Sequence, residues 1–320
     1  MIPALVRQIP APVLKTLRVV VIPAVLALLV SFAWTLDEYA NRTLSQILVV
    51  GLLAVSVALL TGIAGLPTLG QTAPYLVGAY TAATLVEHDI DSGIVQLLAA
   101  GGAGALFALI TAPLVVYARG VVVLMITLAL GELVQTLAGR WKSVTHGTDG
   151  MTALAHVTPL PGLAPLETDE ATYLYVLAVV TVLVAVVLLV LRSPAGAMLR
   201  ASRDDATRMR TSGHPVAGYL TVAYVAAGAL AGFAGSLLVT LEGYVSPGNG
   251  SFEIAALVLL AVVIGGATSL IGALIGAGLV VATRDWLAGP LPGHAPLLLG
   301  VLFILCVYLL PRGLLGRRSA

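Results

Sequence analysis

The chain has 320 residues, of which 59% are hydrophobic and 10% charged, with a formal net charge of +1 and a mean hydropathy of +1.04. Soluble domains carry roughly 25% charged residues, so this composition excludes a water-solvated globule and assigns most of the chain to lipid. The near-neutral balance offers nothing for nucleic acid, and the single cysteine, Cys306, excludes a disulfide within the chain. No G-x-x-x-x-G-K-[ST], H-E-x-x-H, C-x-x-C or G-x-S-x-G motif occurs. If ATP drives this protein, another subunit binds it.

In chain order, apolar segments at about residues 17–36, 44–64, 73–87, 94–117, 121–140, 171–192, 217–241, 254–267, 269–287 and 295–310 give ten candidate membrane spans. A span needs about 20 residues. Segments 73–87 and 254–267 are short and 295–310 is marginal, which reads as broken or re-entrant helices covered by protein. Arg7, Lys15 and Arg18 precede the first apolar run in the manner of a signal peptide. The run is too long for a typical signal core and reads as an uncleaved span. With the N-terminus inside, twelve of the sixteen Lys and Arg residues fall on the cytoplasmic side. Arg42, Arg140, Lys142 and Arg284 fall outside. That bias supports ten spans with both termini cytoplasmic. The expected fold class is all-α, a polytopic transmembrane helical bundle forming one membrane domain over 1–320.

Between the second and third spans, Gly62, Gly65, Pro67, Gly70 and Pro74 cannot share one regular helix. A broken helix at membrane depth supplies backbone groups to a solute path. A plain cytoplasmic turn explains Pro67 and Gly70 equally well, but not the polar tract Thr68, Gln71 and Thr72. Glu132 is the one acidic residue well inside a span. Such a carboxylate faces a cavity or a partner, or is protonated and bonded to a neighbouring helix. Residues 141–170 form the longest external loop, Pro-rich and too short for a domain. Residues 193–215 form a cytoplasmic loop with Arg200, Arg203, Arg208 and Arg210 beside Asp204 and Asp205. Ser193 suits an N-cap, Pro194 the first helical position and Gly213 a stop, which predicts a short polar helix. This element either docks a cytoplasmic partner or only sets topology. Gly228, Gly232 and Gly235, and Gly272 with Gly276, are expected to bring helices close. His88, His146, His156, His214 and His294 lack metal-ligand spacing and read as loop residues.

An ordered series of motifs from about Gly51 to Gly278 resembles the permease subunits of branched-chain amino-acid ABC importers, the LivM type. Gly65-Leu66-Pro67-Thr68-Leu69-Gly70-Gln71 and Gly78-Ala79-Tyr80 follow the family's G-L-x-S-L-G-H…G-A-Y pattern, with Gln71 at the His position. Arg119-Gly120, Thr127-Leu128-Ala129 and Glu132 match a second stretch, and Thr145-His146-Gly147-Thr148-Asp149-Gly150 an external one. Ser193-Pro194-Ala195-Gly196-Ala197-Met198-Leu199-Arg200-Ala201-Ser202-Arg203 is similar to the family's S-P-x-G-R-A-L-R-A-I-R, with Ala197 for Arg. Ala231-Gly232-Phe233-Ala234-Gly235 and Gly265-Gly266-Ala267-Thr268 complete the series.

The resemblance implies a permease in the bacterial cytoplasmic membrane, not itself an enzyme and holding no cofactor. It would pair with a sister permease, two cytoplasmic ATPase subunits that bind ATP and Mg, and an external substrate-binding protein. By the same resemblance, Ser193, Pro194, Gly196, Leu199, Arg200, Arg203, Asp204, Asp205 and Gly213 belong to the ATPase-coupling loop. Thr68, Gln71, Tyr75, Tyr80, Thr127 and Glu132 would line the translocation path, with Thr148 and Asp149 at the external gate or binding-protein contact. The resemblance implies a small amphiphilic solute as cargo, branched-chain or related amino acids, with urea or a short amide as the alternative. A proton-coupled secondary transporter using Glu132 is the alternative from another class, and a scaffold without transport fits the glycine-rich broken helices poorly.

Overall fold

The computed structural model describes residues 37–288 except 119, 154–156, 160–164 and 167, together with 30, 31, 34, 297, 300, 301, 304, 308 and 313–315. The described residues of the first and last expected spans, Val30, Ser31 and Trp34 and Leu297, Gly300, Val301, Ile304 and Tyr308, are helical. The remainder of those spans lies outside the described residues, as do Arg7, Lys15, Arg18, Arg119, His156, His294, Cys306, Arg312, Arg317 and Arg318.

Helix α1 spans Glu38–Ala58 and widens into a π-helical turn over Leu59–Ala64. It is followed by α2 (Thr72–Glu87), α3 (Gly93–Val116), α4 (Val121–Arg140) and the single turn α5 (Lys142–Thr145). After a long loop come α6 (Asp169–Arg192), α7 (Pro194–Asp204), α8 (Ala206–Thr211) and α9 (Val216–Glu242). Helices α10 (Phe252–Gly265) and α11 (Leu270–Ala288) close the described core. Apart from α1, which begins six residues early, the observed ends fall within two residues of the apolar segments because polar caps and glycines bound each run. The Thr168 hydroxyl accepts from the Ala171 amide at 3.2 Å to start α6, with Asp169 and Glu170 in its first turn and Arg192 in its last. All three charges favour the helix dipole. Gly243, at φ +62°, ends α9 in the left-handed conformation that a side chain disfavours.

Among the described residues, five helices are long and apolar enough to cross a membrane: α1 with its π turn, α3, α4, α6 and α9. The molecule is thus a polytopic helical bundle. Helix α10 has 14 residues, so it rises about 21 Å against a hydrocarbon core of about 30 Å. It turns back through Gly266–Ser269 and packs on α11. Beside the helices the chain forms one two-residue antiparallel pair, β1 (Met151–Thr152) with β2 (Tyr244–Val245), in the register Met151 to Val245. It ties the loop between α5 and α6 to the end of α9 and satisfies backbone groups that a free loop would leave to water.

Helices α1 and α9 form the centre. Their apolar windows are 78% and 72% enclosed, whereas that of α4 is 22% enclosed and sits at the edge. Helix α9 packs on α3, α2 and α1, and α1 also packs on α11, α6 and α10. The glycines expected to bring helices close do so. A Cβ on Gly228 would lie 2.7 Å from the Gly104 carbonyl oxygen, and Gly232 meets the Ala100 backbone and Gly78. Gly235 abuts the Tyr75 carbonyl, Gly272 faces Gly265, and Gly276 abuts the Ala261 carbonyl.

Overpacking of a tight core costs about 1–3 kcal/mol. Gly232→Ala should therefore lower the thermal midpoint of the detergent-solubilised protein. Gly102→Ala, on α3 with open space at its Cβ position, should leave it unchanged or raise it. Equal midpoints for the two variants would contradict the backbone contact at Gly232.

Candidate translocation site

The sequence after α1 cannot continue as a helix, and the chain uses the break to carry polar groups inward. Gly65 adopts φ +76° and Leu66–Gly70 run without regular structure to Gln71, where α2 starts. The Thr68 hydroxyl accepts from the Gly70 amide at 3.1 Å. The Leu69 amide donates to the Thr127 hydroxyl at 3.2 Å, and that hydroxyl donates to the Leu124 carbonyl at 3.2 Å. Gly70 abuts the Thr127 carbonyl, where no side chain fits. The broken segment is thus clamped onto α4.

Thr68, Gln71, Thr72 and Thr127 are all buried. Gln71 is 2% exposed, and neither its side-chain oxygen nor its nitrogen has a hydrogen-bond partner. An unsatisfied buried amide costs about 1–3 kcal/mol, so it marks a position kept for another reason. It borders a void of about 10 Å³ with Thr68, Leu69, Thr72, Leu53 and Val57, and with Ala255 and Val258 of α10. That is room for about one water. Of the residues expected on the path, the structure brings Thr68, Gln71 and Thr127 together. Tyr75 is buried one turn along α2, and Tyr80 lies further along with its buried hydroxyl unpartnered. Thr72, Ala255 and Val258 were not among the expected path residues. Thr72 was legible in the polar tract, whereas the two α10 residues are apolar and carry no sequence signal.

Glu132 requires a correction. It is not buried within the chain but exposed, on the opposite side of α4 from Val123, Thr127 and Gly131. Met125, Ala129, Glu132, Thr136 and Arg140 are all exposed at helical spacing along this face. Residue depth is readable from sequence, but the direction a residue faces in a nearly uniform apolar helix is not.

The polar segment 193–215 also differs from one capped helix. Pro194 does occupy the first turn of α7. Ser193, however, donates back to the Val190 carbonyl at 2.6 Å and makes no N-cap bond. Asp205 (φ −152°, ψ 87°) interrupts the helix, and its carboxylate caps α8 by accepting from the Arg208 amide at 2.9 Å. Aspartate competes for backbone donors in this way wherever a helix is weakly held. Gly213, at φ +83°, ends the segment. Gly196, Leu199 and Ser202 are buried, while Asp204 and Asp205 are exposed. Arg200 donates to the Leu191 carbonyl at 3.0 Å. Arg203 donates to the Gly62 carbonyl, and its stem lies on Gly65, where a Cβ would come within 2.8 Å of it. One arginine therefore joins α7 to the break that carries Gln71.

On the other side, Thr148 and Asp149 are exposed in a 3-10 turn, Gly147–Asp149. The Tyr244 hydroxyl donates to the Asp149 carbonyl at 2.8 Å. His146, at φ +57°, lies with Nε2 3.4 Å from the Glu87 carboxylate. Among the described residues, no three His, Cys, Asp or Glu side chains gather as a metal site.

Comparison with known proteins agrees with this architecture. The high-affinity branched-chain amino acid transport system permease protein LivM of Escherichia coli is 30% identical over 300 residues, covering 85% of this chain and 68% of that protein. Its Salmonella typhimurium counterpart is 28% identical over 319 residues, covering 91% and 73%. A probable branched-chain amino acid transport permease protein LivH of Methanocaldococcus jannaschii is 28% identical over 230 residues, covering 70% and 72%. No solved structure matches the chain significantly. The family model for the permease component of branched-chain amino acid transport systems matches residues 39–307, and the chain belongs to that family.

Proposed function

We propose that this chain is one of two permease subunits of an ABC importer in the bacterial cytoplasmic membrane, with ten spans and both termini inside. Two ATPase subunits dock on α7 and α8, and an external binding protein delivers cargo near Thr148 and Asp149. The observation that carries this reading is the Arg203 link. A transporter driven from outside its own chain needs a rigid connection between the docking element and the path, and Arg203 supplies one from α7 to the Gly62–Gln71 break. Displacing α7 moves the Gly62 carbonyl, hence the segment clamped to Thr127. Glu132 supports the two-subunit arrangement. An exposed carboxylate in mid-span needs water or protein opposite it, so its face of α4 is turned toward the sister permease and the path between them.

Branched-chain amino acids are the proposed cargo, supported by the family. The Gln71 void holds about one water, so it is a closed point rather than a cargo pocket. The unpartnered amide, with a donor and an acceptor to offer once the path opens, favours a second reading, urea or a short amide. In proteoliposomes holding the assembled complex, ATP should drive uptake of leucine, and Gln71→Leu should reduce it by about tenfold, the equivalent of one good hydrogen bond. Uptake of urea instead of leucine would install the second reading. Uptake that survives without ATP and collapses with the proton gradient would install proton coupling.

Two further outcomes test coupling. A proline in a helix interior costs about 3 kcal/mol and displaces everything beyond it, so Ala201→Pro should abolish transport and weaken ATPase association. Arg203→Met should leave ATPase association near the parent level and uncouple ATP hydrolysis from uptake, because this side chain points into the permease. Unchanged ATPase binding by Ala201→Pro would reduce the segment to a topology determinant.

Orientation is tested by thiol labelling in a Cys306→Ser background. A cysteine at exposed Thr207 should react only from the cytoplasm, and one at exposed Ser143 only from outside. Labelling of both from one side would overturn the ten-span topology.

A further inference from the structure

A groove of about 480 Å³ runs between α6 and α9 and ends on α7. Val187 and Val190 form one wall, Ala226 and Leu230 the other, and Leu191 and Leu199 lie at its closed end. Its walls are aliphatic over nearly their whole length, and Val190 and Val222 at the rim are 53% and 70% exposed. The volume lies within the range of about 300–1,000 Å³ that holds a small ligand. The groove is separate from the Glu132 face, because α4 packs on α2, α3 and α10 rather than on α6. Val30 packs against the cluster of Tyr173 and Leu177, near the other end of α6.

Charge at the closed end specifies the occupant. Arg200 donates to the carbonyl of Leu191, a groove residue, so its guanidinium lies at the seam where α6 meets α7. Residues 192–214 carry Arg192, Arg200, Arg203, Arg208 and Arg210 against Asp204 and Asp205, an excess of three positive charges. An aliphatic slot at membrane depth that ends in a cationic surface suits a hydrocarbon tail with an anionic head. We infer that the groove binds one anionic phospholipid, with an acyl chain between α6 and α9 and the phosphate at Arg200, so that α7 rests partly on lipid. The inference rests on the proposed cytoplasmic placement of α7.

Native mass spectrometry of the full-length protein, purified with its sister permease and titrated with phosphatidylglycerol or phosphatidylcholine in detergent, tests this without any transport measurement. One phosphatidylglycerol per copy should be retained at least about fivefold better than phosphatidylcholine, in keeping with one surface cation acting on an anionic head. Ala226→Trp, which fills the slot from its open side, should cut retention of both lipids by about tenfold. Arg200→Gln should abolish the preference and leave retention at the phosphatidylcholine level. Equal retention of the two lipids by the parent, or a preference unchanged in Arg200→Gln, would overturn the headgroup assignment. Retention unaffected by Ala226→Trp would overturn the groove. Should Ala226→Trp fail to assemble, the Arg200→Gln comparison decides alone. Leucine uptake and lipid retention are measured independently, so failure here leaves the transport reading standing, and failed uptake leaves the lipid result standing.

Discussion

Where α9 crosses α2 and α3, backbone meets backbone at Gly78, Gly104, Gly228 and Gly232 without an intervening side chain. Inside a bilayer the hydrophobic effect does not hold helices together, because lipid tails are as apolar as leucine, and dispersion between closely approaching backbones must serve instead. That approach sets the spacing of the three helices. It puts the start of α2, with Gln71, at a fixed distance from α1 and α10. It also sets the far end of α9, which carries β2 and through it the loop between α5 and α6. A bulkier residue at the crossing would therefore shift both mouths of the bundle at once.

A second constraint acts at right angles to this packing. Thr68 and Gln71 bring buried polar side chains onto one broken segment, and that segment is tied twice. Thr127 holds it to α4, and Arg203 holds the turn before it to α7. The π turn at its start also packs on α9, and Gly62 abuts the Ala267 carbonyl between α10 and α11. The break is thus held from four sides, and displacement of any one of these elements bears on the others.

Much of this was legible in the chain. The described helices follow the apolar runs closely, because lipid tolerates no polar backbone and each run must end at a breaker or cap. The glycine spacing in α9 announced a close crossing, and the clash of Gly65, Pro67 and Gly70 with a regular helix announced the break. What could not be read was direction. Glu132 sits on the helix expected to carry it but on its outer side, because a helix apolar on every side has no moment to orient it. Asp205 was equally opaque, since the same residue can sit on a polar helix or divide it, and only the strength of surrounding packing decides. The α10 wall of the Gln71 void had no signal at all, because alanine and valine there look like any lipid-facing pair.

The exposure of Glu132 also sets a condition on what surrounds α4. A carboxylate turned toward hydrocarbon costs about 2.5–3.5 kcal/mol on insertion scales. The face that carries it, with Thr136 and Arg140 at helical spacing, therefore favours water, lipid headgroups or another protein over acyl chains. One residue thus makes a single side of an otherwise apolar helix a poor neighbour for bare lipid.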